Sequence, residues 1–336
     1  MYIQDAREIH LKSRPQGMPT TEDFALTTVS IPEPKAGEVL VKNLWMSVDP
    51  YMRGRMVDRK SYVPPFALNE VLAGGAIGEV VESFNPNFPV GTHVSSMNGW
   101  REYFTSAGED LQPLPKTELP PQAFLGVLGM PGMTAYTGLT KIGELKAGDN
   151  VFVSAASGAV GAIVCQIAKL KGCYVAGSVG SEEKARYLID ELGVDAVVNY
   201  KTTDNLTQSI AQACPNGIDV YFENVGGEHL EAVLNVMNDY GRIAVCGMID
   251  QYNNTAPSAG PSNLALLIMK KLKMQGFIIF DHWAGYPAFV EQMGEWIKSG
   301  QISWKETVYE GIEQAPDAFI GLFNGKNTGK MLVKLA

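Results

Sequence analysis

The sequence predicts an α/β protein in which a doubly wound parallel-sheet domain is inserted into a mainly β domain. Three features carry this expectation. The first third consists of short β-branched runs punctuated by Pro and Gly. From Val151 onward, strands and helical runs alternate. At the head of that alternation stands NVFVSAASGAVG, Asn150 to Gly161. A chain of 336 residues is long enough for two domains, and 46% hydrophobic against 19% charged residues is the composition of a packed globular protein.

In the first third, IPEPKAGEVLVKNLWMSV holds a Pro-rich turn, a turn at Gly37 and a strand over 38–44. VLAGGAIGEVVES reads as a glycine-rich strand or strand pair, and 91–94 and 100–105 as two more strands. The pattern changes near Pro120. Strands at 151–155, 174–178, 196–199, 218–223 and 241–246 then alternate with helices at 161–170, 182–192, 206–213 and 228–237. Crossovers of that length make βαβ units, whose repetition builds a parallel sheet covered on both faces. A less regular portion follows, with helix 262–270, strand 274–280, helix 286–299, helix 311–323 and strand 331–335. The final strand is expected to return to the first domain. That gives a β domain of 1–120 plus 301–336 and a nucleotide domain of 121–300.

The formal net charge of −9, from 27 basic and 36 acidic residues, disfavours nucleic acid or an anionic membrane surface as partner. The start MYIQDAREIH has neither the basic nor the apolar region of a leader. No stretch approaches the roughly 20 apolar residues that span a bilayer. Cys165, Cys173, Cys214 and Cys246 lie far apart, as the reduced and mostly buried thiols of a cytoplasmic protein do.

Val151, Phe152 and Val153 read as a short buried strand that turns into a helix through Ala155, Ala156, Ser157, Gly158, Ala159, Val160 and Gly161. Small residues admit a pyrophosphate close to the backbone, and the helix start offers it unpaired N–H groups. Ala156 stands where the usual G-x-G-x-x-G has its first glycine, so the loop alone also fits a tight strand–helix crossover with nothing bound. About twenty residues further on, an acidic side chain would read the adenosine ribose of NAD. Counting from Gly158 reaches Ser178, in AGSVGSEEK, and neither Gly177 nor Ser178 is acidic. A ribose 2′-phosphate suits a small donor backed by a cation, here Ser178 and Lys184. Lys184 equally suits the first turn of a helix capped by Ser181 and begun by Glu182 and Glu183. Tyr200, just past the third strand, is placed to stack beside it or to cover the helix. The fourth strand ends in YFENVGG, bringing Asn224, Gly226 and Gly227 to the carboxyl edge where open sheets bind ligands. The fifth ends at Cys246 and Gly247, before MIDQYNN.

Zinc needs three or four organised ligands. No cysteine precedes Cys165, and His10, His93, His229 and His282 form no spaced cluster, so no metal site is expected. A serine-hydrolase elbow fails too, because Ser157 follows two alanines and has no His or acid nearby.

Seven separated blocks stand in order along the chain: LWMSVDPYMRGRM (44–56), MPGMTAYTGL (130–139), AASGAVG (155–161), GSVGSEEK (177–184), FENVGG (222–227), CGMIDQYN (246–253) and GKNTGKMLVK (325–334). On these the chain resembles, over essentially its whole length, the zinc-independent medium-chain dehydrogenase/reductases. The group is that of leukotriene B4 dehydrogenase / prostaglandin reductase, with bacterial curcumin-reductase-like and plant alkenal-reductase-like members. The resemblance implies a Rossmann cofactor domain, a GroES-like substrate domain, NADPH (NADP+) as cofactor and no metal. It implies reduction of the carbon–carbon double bond of α,β-unsaturated ketones and aldehydes, and a homodimer. It assigns Lys184 and Tyr200 to the adenosine 2′-phosphate and Asn327 to the nicotinamide half. Tyr51 and Tyr252 fall beside substrate and nicotinamide, and Arg53, in the same block as Tyr51, is expected with Met130 in the substrate pocket.

Hydride delivered to the β carbon of an enone leaves negative charge on the carbonyl oxygen, and a proton then goes to the α carbon. The sequence offers no metal or positioned imidazole for that oxygen, so the charge falls to hydroxyls or backbone N–H groups. Tyr252 is the first candidate donor and Tyr51 the second. A phenol of ordinary pKa donates rather than acts as a base at neutral pH, and each tyrosine also reads as a pocket wall. Met52, Met56, Met130 and Met133 suggest either an adaptable apolar pocket or core. A quinone reductase, or an NADPH-binding protein without turnover, are the other readings the sequence leaves open.

Overall fold

Inward-facing apolar residues set the register of the first strands. β1 (Asp5–Leu11) and β2 (Phe24–Ser30) pair antiparallel and bury Ile9, Leu11 and Phe24. The structure is a computed structural model describing residues 5–336; Met1 to Gln4, the beginning of the segment read for a leader, lie outside the described residues. β3 (Val39–Ser47) pairs antiparallel with β4 (Ala76–Ser83) and with β6 (Tyr103–Ser106), while β5 (His93–Ser96) and β7 (Gln112–Pro113) extend the sheet beyond β4. The strand expected over 38–44 runs on to Ser47. Its polar Asn43 is no break, because the side-chain amide donates to the Asn98 and Arg101 carbonyls, each at 2.9 Å, across a register shift. One helical turn, α1 (Met52–Arg55), follows.

After α2 (Met130–Thr137) come β8 (Asn150–Val153), β9 (Tyr174–Val179), β10 (Ala196–Asn199), β11 (Ile218–Glu223), β12 (Met237–Val245) and β13 (Lys273–Gly276). Among the described residues these form one six-stranded sheet of order β10-β9-β8-β11-β12-β13, every neighbouring pair parallel. The strand order reverses between β8 and β11, the switch point at which doubly wound sheets hold ligands. The crossovers are α3 (Gly161–Leu170), α4 (Glu182–Arg186), α5 (Leu206–Ala213) and α6 (Gly227–Val236), with α7 (Leu266–Met269) and α8 (Tyr286–Lys298) beyond.

Three elements differ from expectation here. The helix foreseen over 182–192 is regular only to Arg186 and widens into a π turn over Tyr187–Glu191. The helix foreseen over 262–270 shrinks to Leu266–Met269. Ser262 Oγ donates to Glu231 Oε1 at 2.6 Å and Asn263 Nδ2 to the Glu231 carbonyl at 2.8 Å, so polar bonds to a residue on α6 displace the first helical turn. The strand foreseen over 274–280 stops at Gly276, and a 3₁₀ turn over Ile279–Gly285 replaces its end.

The chain closes with β14 (Glu306–Glu310), α9 (Ala315–Phe323) and β15 (Lys330–Lys334). β15 lies antiparallel to β3, giving the order β14-β15-β3-β4-β5-β7 with β6 also on β3. Its core gathers Met46, Met52, Met56, Trp100 and Phe319, with Trp100 stacked on Phe24 and edge-on to Phe319. By their contacts the residues divide into two compact units. One runs to Leu125 and resumes at Glu306–Asn327 and Met331–Ala336; the other is Gly126–Lys305 with Thr328–Lys330.

Candidate active site

The small-residue loop leaves β8 through Ala155, which takes a left-handed φ of 49°. That conformation costs a non-glycine residue on the order of 1–2 kcal/mol and is held only by its surroundings. Ala156 is fully buried, and its N–H donates to the Ser178 carbonyl at 3.0 Å. A Cβ on Gly177 would lie 2.6 Å from the Ala156 methyl. The methyl that replaces the loop's first glycine therefore occupies the space Gly177 leaves empty. At Gly161 a Cβ would meet the Ala155 carbonyl at 2.5 Å, so the third glycine's close packing is intact. α3 then starts behind Val160 with no side-chain cap, as a helix does when its first N–H groups serve an anion. The Ser157 carbonyl accepts from Gly329 N at 2.8 Å, and Gly158 forms a parallel bridge with Gly329. Only glycine serves at 329, because φ is 68° and a Cβ would overlap the Lys305 carbonyl. A cleft beside the loop is lined by Gly126, Val127, Gly158, Ala159, Trp304 and Gly329; Gly126 and Trp304 carry no signal in the sequence reading.

At the end of β9, Ser178 is fully buried and its hydroxyl has no partner. An unmet buried hydroxyl costs about 1–3 kcal/mol, which a ligand oxygen would recover. Ser181 caps α4 by accepting from Lys184 N at 3.3 Å. The Lys184 side chain is half-buried, and burial and the Lys201 ammonium push its pKa down, with Glu183 opposing. Tyr200 lies across Gly180, its hydroxyl 2.7 Å from where a Cβ on that glycine would stand. Its ring meets the buried His229 edge-on at 5.1 Å. Burial lowers the His229 pKa to about 4, so the imidazole is neutral at physiological pH. The donor set therefore fits a phosphate at the adenosine end: small floor, buried hydroxyl, cations and no carboxylate at the end of the strand.

At the ends of β8 and β11, Asn224 turns inward. Its N–H donates to Ser154 Oγ and its side-chain amide to the Ser154 carbonyl, each at 2.8 Å. Glu223 lies fully buried beneath it. Its Oε1 accepts from Ser154 Oγ at 2.9 Å and Val225 N at 2.6 Å, and burial raises its pKa. The sequence reading missed this pair, although a glutamate ending an apolar strand was its signal. The Glu223 carbonyl accepts from the N–H groups of Cys246 and Gly247 at 2.9 and 3.1 Å. Burial pushes the Cys246 thiol up to about 12, so it is no nucleophile. Gly226, at φ 80°, packs within 2.9 Å of Met248 when given a Cβ.

Tyr252 closes the turn after β12. Its hydroxyl oxygen accepts from Met248 N at 3.3 Å and stands 3.0 Å from where a Cβ on Gly247 would be. Met130, at the start of α2, is part-buried. In the other unit, part-buried Tyr51 precedes α1, and burial and Asp49 raise its pKa, so it stays a neutral phenol. Asp49 accepts a short hydrogen bond from Ser47 Oγ. Arg53 corrects an expectation. It is 3% exposed, and its guanidinium donates to the Pro15 and Gly17 carbonyls, which makes it an anchor of that loop rather than a substrate surface. Met52 and Met56 are core, fully buried beside Trp100, and Met133 is 1% exposed. Asn327 is part-buried between α9 and β15. Among the described residues no group of three or more His, Cys, Asp or Glu side chains can hold a metal ion.

A doubly wound sheet with a small-residue loop at its switch point, in a chain that also carries a mainly β unit, is the architecture of a dinucleotide-dependent oxidoreductase. Residues 7–114 match a family described as the N-terminal domain of oxidoreductase, and residues 159–297 one described as zinc-binding dehydrogenase. The chain is 44% identical over 331 residues to the NADPH-dependent curcumin reductase of Escherichia coli, covering 97% of this chain and 96% of that one. It is 44% identical over 338 residues to the 2-alkenal reductase (NADP(+)-dependent) of Nicotiana tabacum, covering 98% and 97%. The crystal structure of CurA from Vibrio vulnificus in complex with NADPH superposes with a TM-score of 0.94 at 47% identity, covering 98% and 99%. The chain belongs to the zinc-independent medium-chain dehydrogenase/reductases, in the group of the curcumin, prostaglandin and alkenal reductases.

Proposed function

We propose that this protein reduces the carbon–carbon double bond of α,β-unsaturated ketones and aldehydes with NADPH. The buried, unpartnered Ser178 hydroxyl, standing where an NAD-selecting carboxylate would be, is the observation that carries the cofactor choice. The loop from Ala156 to Gly161 holds the pyrophosphate. Lys184 and Tyr200 hold the adenosine 2′-phosphate, and Asn224, Gly226, Cys246, Gly247 and Asn327 form the remaining cofactor surface. When bound, NADPH supplies the hydride that goes to the substrate's β carbon. The Tyr252 hydroxyl, oriented by Met248 N–H, donates to the carbonyl oxygen as negative charge develops there. The α carbon takes its proton from Tyr252 or from a water held by it. Met130 serves the substrate side of its own unit, and Tyr51 is the second candidate donor that the family resemblance supplies.

The protein works in the cytoplasm as a homodimer. β13 supports the second point: it pairs with β12 alone among the described strands, and Ile268 and Met269 nearby are 83% and 67% exposed. Sedimentation at working concentration checks this, and a species of 36.4 kDa refutes it. The activity is tested by following oxidation of NADPH with enones, enals, quinones and saturated ketones in turn. Turnover of enones and enals, without oxidation of simple alcohols in reverse, is expected. Turnover confined to quinones would replace the assignment.

A further inference from the structure

We propose that Lys201 is a second cation of the 2′-phosphate site and, with Lys184, sets the preference for NADPH over NADH. The proposal rests on the NADPH reading above. Tyr200 and Lys201 both cross Gly180: a Cβ there would lie 2.7 Å from the Tyr200 hydroxyl and 3.2 Å from Lys201 Cε. The edge contact with buried His229 fixes the Tyr200 ring. Asn199 Oδ1 accepts from Lys201 N at 3.2 Å and holds the backbone just past β10. The site is therefore built from the ends of two adjacent parallel strands, Ser178 from β9 and Lys201 from β10.

The charges argue the same way. Lys201 forms no ion pair with a carboxylate among the described residues, unlike several surface lysines of this unit. After burial, the Lys201 charge is the next cause that makes the Lys184 ammonium harder to protonate, with Glu183 opposing. A phosphate monoester carries a charge of about −1.5 to −2 at neutral pH, so one lysine leaves it partly uncompensated and two match it. The fully buried Ser178 hydroxyl, without a partner, supplies the neutral donor for the same group.

The test compares wild type, Lys201→Gln, Lys201→Arg and Lys184→Gln. It measures KM for NADPH and NADH, kcat, and inhibition by 2′,5′-ADP and 5′-AMP. Lys201→Gln should raise the NADPH KM and the 2′,5′-ADP inhibition constant roughly two- to fivefold, the range of a solvent-exposed charge partner. NADH, 5′-AMP and kcat should be unmoved, and Lys201→Arg should retain most of the preference. If Lys184→Gln shifts the NADPH-to-NADH ratio and Lys201→Gln does not, Lys201 has no part in the site and the cofactor reading survives. If wild type binds 2′,5′-ADP no better than 5′-AMP, the cofactor reading fails and takes this inference with it.

Discussion

A tyrosine hydroxyl held by one backbone N–H is a modest device, and what it contributes depends on when its bond forms. In its proposed role Tyr252 would meet the substrate oxygen most strongly once that oxygen carries charge, so its loss should fall on turnover. Tyr252→Phe is expected to lower kcat roughly ten- to hundredfold with little change in KM, the effect of one hydrogen bond to a charged group. A raised KM at constant kcat would make Tyr252 a packing residue. Lys184→Ala should raise the NADPH KM by roughly tenfold or more and leave NADH kinetics alone; equal loss with both cofactors would refute the assignment. His229 gives a stability signature. Its pKa is about 4 in the folded protein and near 6.5 unfolded, so its contribution is complete above the unfolded value. That contribution is lost as pH falls through about 4, on the order of 3 kcal/mol in all. His229→Phe should remove this slope, measured as urea unfolding between those two values, and keep the ring beneath Tyr200.

At the scale of elements, the loop and the strand beside it form one packing unit. Gly177→Ala should destabilise the protein by about 1–3 kcal/mol through overpacking against Ala156. Ala156→Gly in the same chain should recover most of that, a coupling that a double-mutant cycle in chemical denaturation measures. The sequence could not show this exchange, because Ala156 and Gly177 meet only once β8 and β9 lie side by side. It did show the elements themselves. Buried runs such as Val151–Val153 and the apolar period of α3 are local, and local patterns survive folding. The misjudged elements are those decided by distant partners. Glu231 reaches across to Ser262 and Asn263 and shortens a helix, and the Asn43 side-chain NH2 is held by carbonyls at Asn98 and Arg101. The same holds at the site. Of the residues proposed for it, Ser178 and Lys184 follow from a count along the chain, whereas Lys201 and the Ser154–Glu223 pair beside it arise from strand neighbours. Arg53 was misread because its motif lies beside Tyr51 while its guanidinium serves a loop at Pro15 and Gly17.

For the molecule as a whole, ligand binding and stability are linked. NADP+ at a hundred times its dissociation constant should stabilise the folded state by about 2.7 kcal/mol, and NAD+ at the same concentration much less, read as a shift in Tm. Exhaustive dialysis against EDTA should change neither Tm nor activity, since the described residues offer no ligand group for a metal. The brief return of Thr328–Lys330 to the nucleotide unit has a consequence for dissecting the gene. A fragment cut at Lys305 would hold every strand of the parallel sheet. It would lose the Gly329 and Lys330 amides that the Ser157 and Lys305 carbonyls accept from, at 2.8 and 2.9 Å. The nucleotide module is thus not one continuous cassette. Its small-residue loop is finished by Thr328–Lys330, which are translated after β14 and α9, so a ribosome must pass both of those elements before that loop can take its final shape.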